Sequence, residues 1–199
     1  MKAPFRLGLT GSIGMGKSTT AAAFAARGIP VWDADATVHR LYAADGAAAA
    51  AIGAVFPAAI AADGSVSRPA LKALIAAEPA VLDRVSSIVH PLVAANRQAF
   101  IAASRADIVL LDIPLLFETG AESGCDAVLV VTAPPAVQRA RLIARGGMTE
   151  AELAAVLARQ MPDDQKRARA DHIVETLSLE VVAAYADALI AYIRSSRDA

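Results

Sequence analysis

Short apolar runs alternate with helical segments along this chain. Five of the runs are short and apolar, and the last four are also β-branched, as buried parallel strands tend to be: Phe5–Thr10, Ile29–Trp32, Ile108–Leu111, Ala127–Thr132 and His172–Val174. The segments between them favour helices. This alternation predicts an α/β fold with three layers (α/β/α), in which helices cover both faces of a parallel five-stranded sheet.

The second and third of these strands lie much further apart in sequence than a single crossover helix requires. We therefore predict that residues 36–106 form a helical subdomain inserted into a core made of residues 1–35 and 107–199. Such an insertion would lie over the carboxyl ends of the strands, where open α/β sheets bind their ligands. The uncharged run Gly46–Ala62 within it is interpreted as buried helix and turn.

Polar residues mark where several helices begin. Serine and threonine side chains at these places can accept a hydrogen bond from an N–H group of the first helical turn. The predicted starts are Ser67 before Arg68–Ala77, Ser178 before Leu179–Arg194, and a capping box formed by Thr149 and Glu152.

The composition of the chain limits its predicted partners and its predicted location. The chain has 199 residues, a net charge of −1 and one cysteine. The near-neutral charge predicts neither nucleic acid nor an anionic membrane as a partner. Two glycines and a proline interrupt Gly46–Ala62, whereas a membrane-spanning helix needs about 20 predominantly apolar residues. Cys125 cannot form an internal disulfide, which predicts a reducing, cytoplasmic location.

The stretch Gly11–Ser18 carries the first chemical signal. It fits G-x-x-x-x-G-K-[ST], in which glycines let successive backbone N–H groups point at phosphate oxygens. Lys17 would reach the β- and γ-phosphates of a nucleotide, and Ser18 would bind the Mg²⁺ that bridges them. A strand precedes the loop and a predicted helix, Thr19–Arg27, follows it, which favours this interpretation over a chance glycine-rich turn. The residues predicted to bind the nucleotide are Gly11, Ser12, Ile13, Gly14, Met15, Gly16, Lys17, Ser18 and Thr19.

Phosphoryl transfer also needs a group that orients or deprotonates the attacking hydroxyl. The second strand ends in Trp32-Asp33-Ala34-Asp35, and if it lies beside the first strand its carboxylates face the glycine loop. Asp33 is the better candidate because it follows the apolar strand directly. Asp35 has an alternative role as the N-cap of a predicted helix Ala36–Tyr42.

A further acidic residue follows the third strand. The run Val109–Asp112 resembles a Walker B strand, whose aspartate would hold Mg²⁺ through water. The sequence supports equally well an alternative in which Asp112 lies in a turn and binds no metal.

Arginines follow the fourth strand. Arg141 and Arg145 are one helical turn apart, and Gly146-Gly147 then ends the helix. Two guanidiniums on a hinged segment would suit a closing lid that neutralises charge in the transition state and excludes water. A solvated helix face is the alternative, and the same two interpretations apply to the later basic residues Lys166, Arg167 and Arg169.

In combination, these patterns resemble the dephospho-coenzyme A kinase family. The resemblance covers roughly residues 5–175 and rests on Thr10–Thr19, Asp33-Ala34-Asp35, Arg68 with Leu71, His90-Pro91, Pro114–Glu118, Gln138 with Arg141 and Arg145, and Ala170-Asp171. It implies a P-loop kinase in which ATP, with Mg²⁺, phosphorylates the ribose 3′-hydroxyl of dephospho-coenzyme A. The products would be coenzyme A and ADP, in the last step of coenzyme A synthesis.

The resemblance also implies roles for individual residues. Asp33 would act on the 3′-hydroxyl, Arg68 and the His90-Pro91 turn would bind the acceptor, and a helical lid would span residues 139–169. The phosphate-loop motif and the Walker B-like strand, and not the resemblance, predict Ser18 and Asp112 as the metal ligands. The residues predicted to be catalytic are Lys17, Asp33, Arg141 and Arg145.

Two places depart from the family pattern. Ser12 and Met15 replace the usual glycine and serine, at loop positions where the backbone N–H acts. After the fifth strand the family usually has an asparagine and a glycine near the adenine of ATP, whereas this chain has Thr176-Leu177-Ser178. We therefore assign no adenine-binding residue to that turn.

Other functions share some of these features. Another P-loop small-molecule or nucleoside monophosphate kinase is the alternative, since it would use the same cradle, lid arginines and aspartate. A non-catalytic nucleotide-binding module is also consistent with the loop. A GTP switch is disfavoured because no N-K-x-D occurs and Asp112 is followed by Ile-Pro-Leu. We expect a monomer or a weak homo-oligomer.

Overall fold

The computed structural model describes residues 3–146, 156–158 and 160–198. Within them, five strands form one all-parallel sheet in the order β2-β3-β1-β4-β5. The strands are β1 Phe5–Thr10, β2 Val31–Asp33, β3 Ile108–Asp112, β4 Ala127–Thr132 and β5 His172–Glu175. The predicted strands are confirmed, although β2 begins after Pro30. The carbonyl of Pro30 accepts from the N–H of Leu110, but proline has no N–H for the ladder. The predicted neighbourhood of the first two strands is wrong, because β3 lies between β2 and β1 in the sheet.

Helices occupy most of the chain between the strands. They are α1 Lys17–Ala25, α2 Ala34–Leu41, α3 Ala47–Val55, α4 Arg68–Ala77, α5 Ala80–Ala103, α6 Pro135–Arg145, α7 Asp163–Ala168 and α8 Leu179–Asp198. Short 3₁₀ helices lie at Pro57–Ala59 and Ala121–Gly124. No helix among the described residues is both long enough and apolar enough to cross a membrane.

The two faces of the sheet are covered differently. Leu7 and Leu9 of β1 belong to a hydrophobic cluster with residues of α1 and α8. Side chains alternate along a strand, so Gly8 faces the other side. A Cβ at Gly8 would lie 2.7 Å from Cys125 Sγ and 2.8 Å from Leu116 Cδ1, so the segment after β3 packs against the sheet here. The α7 helix also contacts β4. The predicted three-layer α/β fold is confirmed.

The chain divides into two compact units. Unit 1 consists of Met1–Trp32 and Ser104–Ala199, and unit 2 consists of Asp33–Ala103. Unit 2 contains α2 to α5 around its own hydrophobic cluster, which includes Ala48, Ile52 and Val85. The uncharged run 46–62 forms α3 and the first 3₁₀ helix, as the sequence predicts.

The start of α2 differs from the prediction. The helix begins at Ala34 rather than Ala36, and its N-cap is Asp33, whose Oδ1 accepts from the N–H of Ala36 at 2.9 Å. The interpretation of Asp35 as the N-cap is therefore wrong, and Asp35 lies in the first helical turn. Asp33 caps the helix because its backbone is extended, which is the usual conformation of an N-cap residue.

The prediction of a turn at His90-Pro91 is also wrong. Both residues lie inside α5, which continues through Pro91. Proline removes one intrahelical hydrogen bond, but Val81, Val85 and Val89 are buried along one face of the helix at four-residue spacing. This packing holds the helix in the hydrophobic cluster of unit 2.

The serine caps are confirmed. Ser67 Oγ accepts from the N–H of Ala70, and Ser178 Oγ accepts from the N–H of Val181, both at 3.3 Å. The helix that follows Ser178 extends beyond the predicted end, to Asp198. The predicted capping box of Thr149 and Glu152 lies outside the described residues.

Candidate active site

The phosphate loop joins β1 to α1, and glycines give it its shape. A Cβ at Gly11 would lie 2.3 Å from Val131 Cγ2 and 2.7 Å from the carbonyl oxygen of Val131 on β4, so only glycine fits. Gly16 has a φ of +91° and is the N-cap of α1. Because Gly16 carries no capping side chain, the first N–H groups of α1 are left for an anion.

Lys17 is the first residue of α1, two positions earlier than predicted. Its Nζ lies 2.6 Å from Asp112 Oδ1, and the two side chains are 19% and 5% exposed. Asp112 pairs with Leu9 in the parallel ladder between β3 and β1, which places its carboxylate beside the end of β1. Asp112 is the last residue of a strand, so the alternative of a turn aspartate is wrong. The structure thus brings together the predicted phosphate-binding lysine and one predicted metal ligand.

Met15 anchors the loop in the hydrophobic core. Its side chain is 4% exposed and belongs to the cluster between the sheet, α1 and α8. Its sulfur lies 3.1 Å from the N–H of Ala133, beyond the end of β4. The departure from the family pattern at this position therefore places an apolar side chain in the core, while the backbone stays in the loop.

Two glutamines bind the backbone of Ile13. Gln138 Nε2, on α6, donates to the carbonyl of Ile13 at 2.7 Å. The N–H of Ile13 donates to Gln160 Oε1 at 3.1 Å. A Cβ at Gly14 would lie 2.9 Å from Leu142 Cγ, so α6 packs directly on the phosphate loop.

Thr176 follows β5 at the place where the family's asparagine is missing, and sequence reasoning assigned it no role. Its Oγ1 is 2.8 Å from the carbonyl oxygen of Met15 and 3.3 Å from that of Thr132, and it accepts from Arg141 Nη1 at 2.9 Å. Arg141 Nη2 also donates to the backbone carbonyl of Thr176. The turn thus connects the phosphate loop with one predicted catalytic arginine. The side chain of Arg145 lies outside the described residues.

Lys166 is fully buried, so the interpretation that it belongs to a solvated helix face is wrong. Its Nζ lies 2.9 Å from Glu118 Oε1, which also accepts from the N–H of Met161 at 2.7 Å. Burial raises the pKa of Glu118, but the hydrogen bonds from Lys166 and Met161 outweigh it and hold that pKa below its ordinary value. The carbonyl of Pro114 accepts from Thr10 Oγ1 at 3.0 Å and lies 3.5 Å from Lys166 Nζ. This network holds α7 against the Pro114–Glu118 segment and the end of β1.

The two basic residues that follow Lys166 differ from each other in their contacts. Arg167 is exposed, as a solvated helix face predicts. Arg169 pairs with Glu122, and its guanidinium lies 4.5 Å from the centre of the Phe117 ring. The guanidinium of Arg169 is therefore paired within unit 1, whereas that of Arg167 lies on an exposed helix face.

The predicted acceptor-binding residues belong to unit 2. Asp33 is its first residue, Arg68 lies in the first turn of α4, and His90 lies within α5. All three side chains are exposed. Burial raises the pKa of Tyr42, and the positive charge of Arg68 partly offsets this, so these two side chains are neighbours.

Comparison with known proteins identifies the family to which this chain belongs. A family model described as dephospho-CoA kinase matches residues 5–179. A protein from Cereibacter sphaeroides named dephospho-CoA kinase is 64% identical over 196 residues, which are 98% of this chain and 99% of that protein. A crystal structure from Thermus thermophilus matches with a TM-score of 0.84 at 36% identity, over 96% of this chain and 98% of that one. The structure of dephospho-CoA kinase from Campylobacter jejuni has the same fold, with a TM-score of 0.72 at 22% identity over the same shares of the two chains. The predicted resemblance is confirmed, and the chain belongs to the dephospho-CoA kinase family of P-loop kinases.

Proposed function

We propose that this kinase transfers the γ-phosphoryl group of ATP to the ribose 3′-hydroxyl of dephospho-coenzyme A. The 3′-oxygen forms a bond to the γ-phosphorus while the bond from that phosphorus to the β–γ bridging oxygen breaks. The hydroxyl proton passes to the carboxylate of Asp33, and the products are coenzyme A and ADP. The phosphate loop, whose Lys17 ammonium lies 2.6 Å from Asp112, supports phosphoryl transfer from a nucleotide. The match to the dephospho-CoA kinase family over residues 5–179 supports the acceptor.

The loop and the first turn of α1 would bind the phosphates of ATP. Gly16 opens the helix without a side-chain cap, so the N–H groups of Lys17, Ser18 and Thr19 can donate to phosphate oxygens. Lys17 would add a positive charge for the β- and γ-phosphates. This arrangement supplies positioning and charge stabilisation, which account for most of the catalysis in phosphoryl transfer.

The side chains at this place fit Mg²⁺. Mg²⁺ prefers oxygen ligands and is usually bound through one or two carboxylates together with substrate phosphates. The hydroxyl of Ser18 and the carboxylate of Asp112 supply such oxygens. Among the described residues, no cluster of three or more His, Cys, Asp or Glu side chains could hold a metal ion. Bound there, the ion would neutralise charge on the β- and γ-phosphates.

Asp33 is the proposed group that orients and deprotonates the 3′-hydroxyl. The hydrogen bond that Asp33 accepts from the N–H of Ala36 holds the carboxylate in one orientation. The second carboxylate oxygen is then available to accept from the 3′-hydroxyl. Arg68 and His90 would bind the acceptor, whose pyrophosphate requires cationic partners. Arg141 and Arg145 would stabilise charge in the transition state, and residues 139–169 would form the lid.

An acceptor panel tests the reaction. ADP release would be measured with ATP and Mg²⁺ and with dephospho-coenzyme A, adenosine, nucleoside monophosphates or shikimate, and mass spectrometry would identify the product. We expect phosphorylation of dephospho-coenzyme A alone, at its 3′-hydroxyl. Turnover of a different acceptor would leave the phosphate site intact and would overturn the acceptor assignment.

The substitution Asp33→Asn distinguishes the proposed catalytic role of Asp33 from its role as the N-cap of α2. Asparagine caps helices about as well as aspartate, so α2 and the melting temperature should be preserved. Removing the ionised carboxylate should lower kcat by about 10²–10⁴-fold, the usual contribution of general base catalysis. Asp35→Asn, two positions later in the first turn of the helix that Asp33 caps, is the matched control. If both variants keep wild-type kcat, Asp33 serves only as a cap.

We further propose that the enzyme works in the cytoplasm as a monomer or weak homo-oligomer, without a nucleic acid or membrane partner. The support is the single cysteine and the net charge of −1. Light scattering coupled to size-exclusion chromatography would test the oligomeric state.

A further inference from the structure

We infer that Gln138 and Gln160 are a pair of positioning residues for the phosphate loop, and that they set the affinity of the loop for nucleotide. The inference rests on the proposed nucleotide site and does not depend on which acceptor is used. The pair binds both backbone polar groups of one loop residue, Ile13.

The two contacts are chemically complementary. A backbone N–H can only donate, so the N–H of Ile13 requires an acceptor, which is Gln160 Oε1 at 3.1 Å. A backbone carbonyl can only accept, so the oxygen of Ile13 requires a donor, which is Gln138 Nε2 at 2.7 Å. Glutamine carries both a donor and an acceptor, and the partner on the loop determines which end of each amide is used.

The loop needs such support because of its glycines. Gly14 follows Ile13 with a φ of +78°, and Gly16 has a φ of +91°. Glycine loses more backbone freedom on ordering than any other residue, so a glycine-rich loop without outside contacts would have to be ordered when it binds phosphate. Contacts that order the loop beforehand reduce this entropic cost.

Both glutamines are themselves held in place. A Cβ at Gly14 would lie 3.2 Å from Gln138 Cγ, so the stem of Gln138 packs against the loop. The backbone N–H of Gln160 donates to the carbonyl of Leu157 at 3.1 Å. The next residue, Met161, donates its N–H to Glu118, whose other partner is the buried Lys166. The carbonyl of Ile13 is therefore fixed from α6, and its N–H is fixed from the segment just before α7.

The test uses Gln138→Met and Gln160→Met, which keep the length of the side chain and remove the amide. Gln98→Met, at an exposed glutamine on α5 in unit 2, is the matched control. ADP affinity would be measured by titration calorimetry, together with kcat, the KM for ATP, the KM for dephospho-coenzyme A and the melting temperature. ADP binding reports on the loop whichever acceptor the enzyme uses.

We expect each loop-contacting variant to raise the Kd for ADP and the KM for ATP about three- to tenfold, as the loss of one hydrogen bond implies. The KM for dephospho-coenzyme A should stay within twofold. The double variant should lose less affinity than the product of the single losses, because both side chains order the same residue. A Kd for ADP within twofold of that of Gln98→Met in both variants would overturn the inference. So would an equal rise in both KM values, since that would indicate a general loss of structure.

Hydrogen exchange of the Ile13 amide provides a readout that does not depend on activity. In the wild-type protein this amide should exchange more slowly than that of an unprotected loop residue, and Gln160→Met should remove the protection. Should a variant fail to fold, the wild-type measurement still decides. Unprotected exchange at Ile13 would show that Gln160 does not bind its N–H.

Discussion

The buried ion pair between Lys166 and Glu118 predicts a large and specific loss of stability. Lys166 is fully buried, and its ammonium lies 2.9 Å from Glu118 Oε1. The substitution Glu118→Gln keeps an oxygen that can accept from the N–H of Met161 but removes the negative charge. The ammonium of Lys166 would then be buried without a counter-ion.

The size of the expected stability loss follows from the burial of the Lys166 ammonium. Removing one partner of a buried pair typically costs about 3–5 kcal/mol, because the remaining charge has lost its solvent and its counter-ion. For a protein of this size each kcal/mol shifts the melting temperature by about 2–4 °C, so we expect a fall of about 6–20 °C. The matched control is Asp107→Asn, which breaks the pair with Arg194 at 2.6 Å. These two side chains are 48% and 52% exposed, and such pairs contribute about 0–1 kcal/mol.

Urea and thermal unfolding of the two variants would measure the difference. We expect Glu118→Gln to lower the free energy of unfolding several times more than Asp107→Asn does. Equal losses in the two variants, or a loss below about 1 kcal/mol for Glu118→Gln, would refute the reasoning from burial.

The pH dependence provides a second check on the same pair. The pKa of Glu118 in the folded protein lies below its ordinary value of 4.5, because the hydrogen bonds from Lys166 and Met161 outweigh the effect of burial. A lowered folded-state pKa contributes stability that is fully present above the unfolded pKa and is lost as the pH falls through the folded pKa. The stability difference between wild type and Glu118→Gln should therefore be constant near neutral pH and should shrink as the pH falls below 4.5. A difference that persists unchanged in acid would contradict this assignment.

Two further predictions concern the phosphate loop. Thr176→Val keeps the shape of the side chain but removes the hydroxyl that contacts Met15 and Arg141, so kcat/KM for ATP should fall about tenfold, whereas Thr176→Ser should stay near wild type. Steady-state kinetics of both variants measure this, and equal activity of the two would show that the hydroxyl is not used. Gly11→Ala would place a Cβ 2.3 Å from Val131 Cγ2, so we expect loss of ADP binding in calorimetry. Wild-type affinity in Gly11→Ala would contradict the close approach of the loop to β4.

Several features could be predicted from the sequence because they depend on neighbouring residues. The bounds of β1 and β4 follow from short, mainly apolar runs, and the serine caps of α4 and α8 involve groups three residues apart. The phosphate loop is also local, since its glycines and Lys17 lie within one short stretch. Together with the ordered motifs, these features were enough to identify the family.

Other features depended on residues far apart in the chain. Lys166 has the same chemistry as a surface lysine, and only the packing of α7 against Glu118 decides that it is buried. Gln160 and Thr176 gave no signal in the sequence, because their partners, Ile13 and Met15, are brought to them by the order of strands in the sheet.

The N-terminal end of α2 could be predicted only in part from the sequence. Asp33 and Asp35 both have the chemistry of an N-cap, and the extended backbone of Asp33 at the end of β2 decides between them. The sequence by itself determined the strands, most of the helices, the phosphate loop and the family. Only the tertiary structure decided which polar side chains are buried and paired, because burial and pairing depend on contacts between distant segments that no local pattern records.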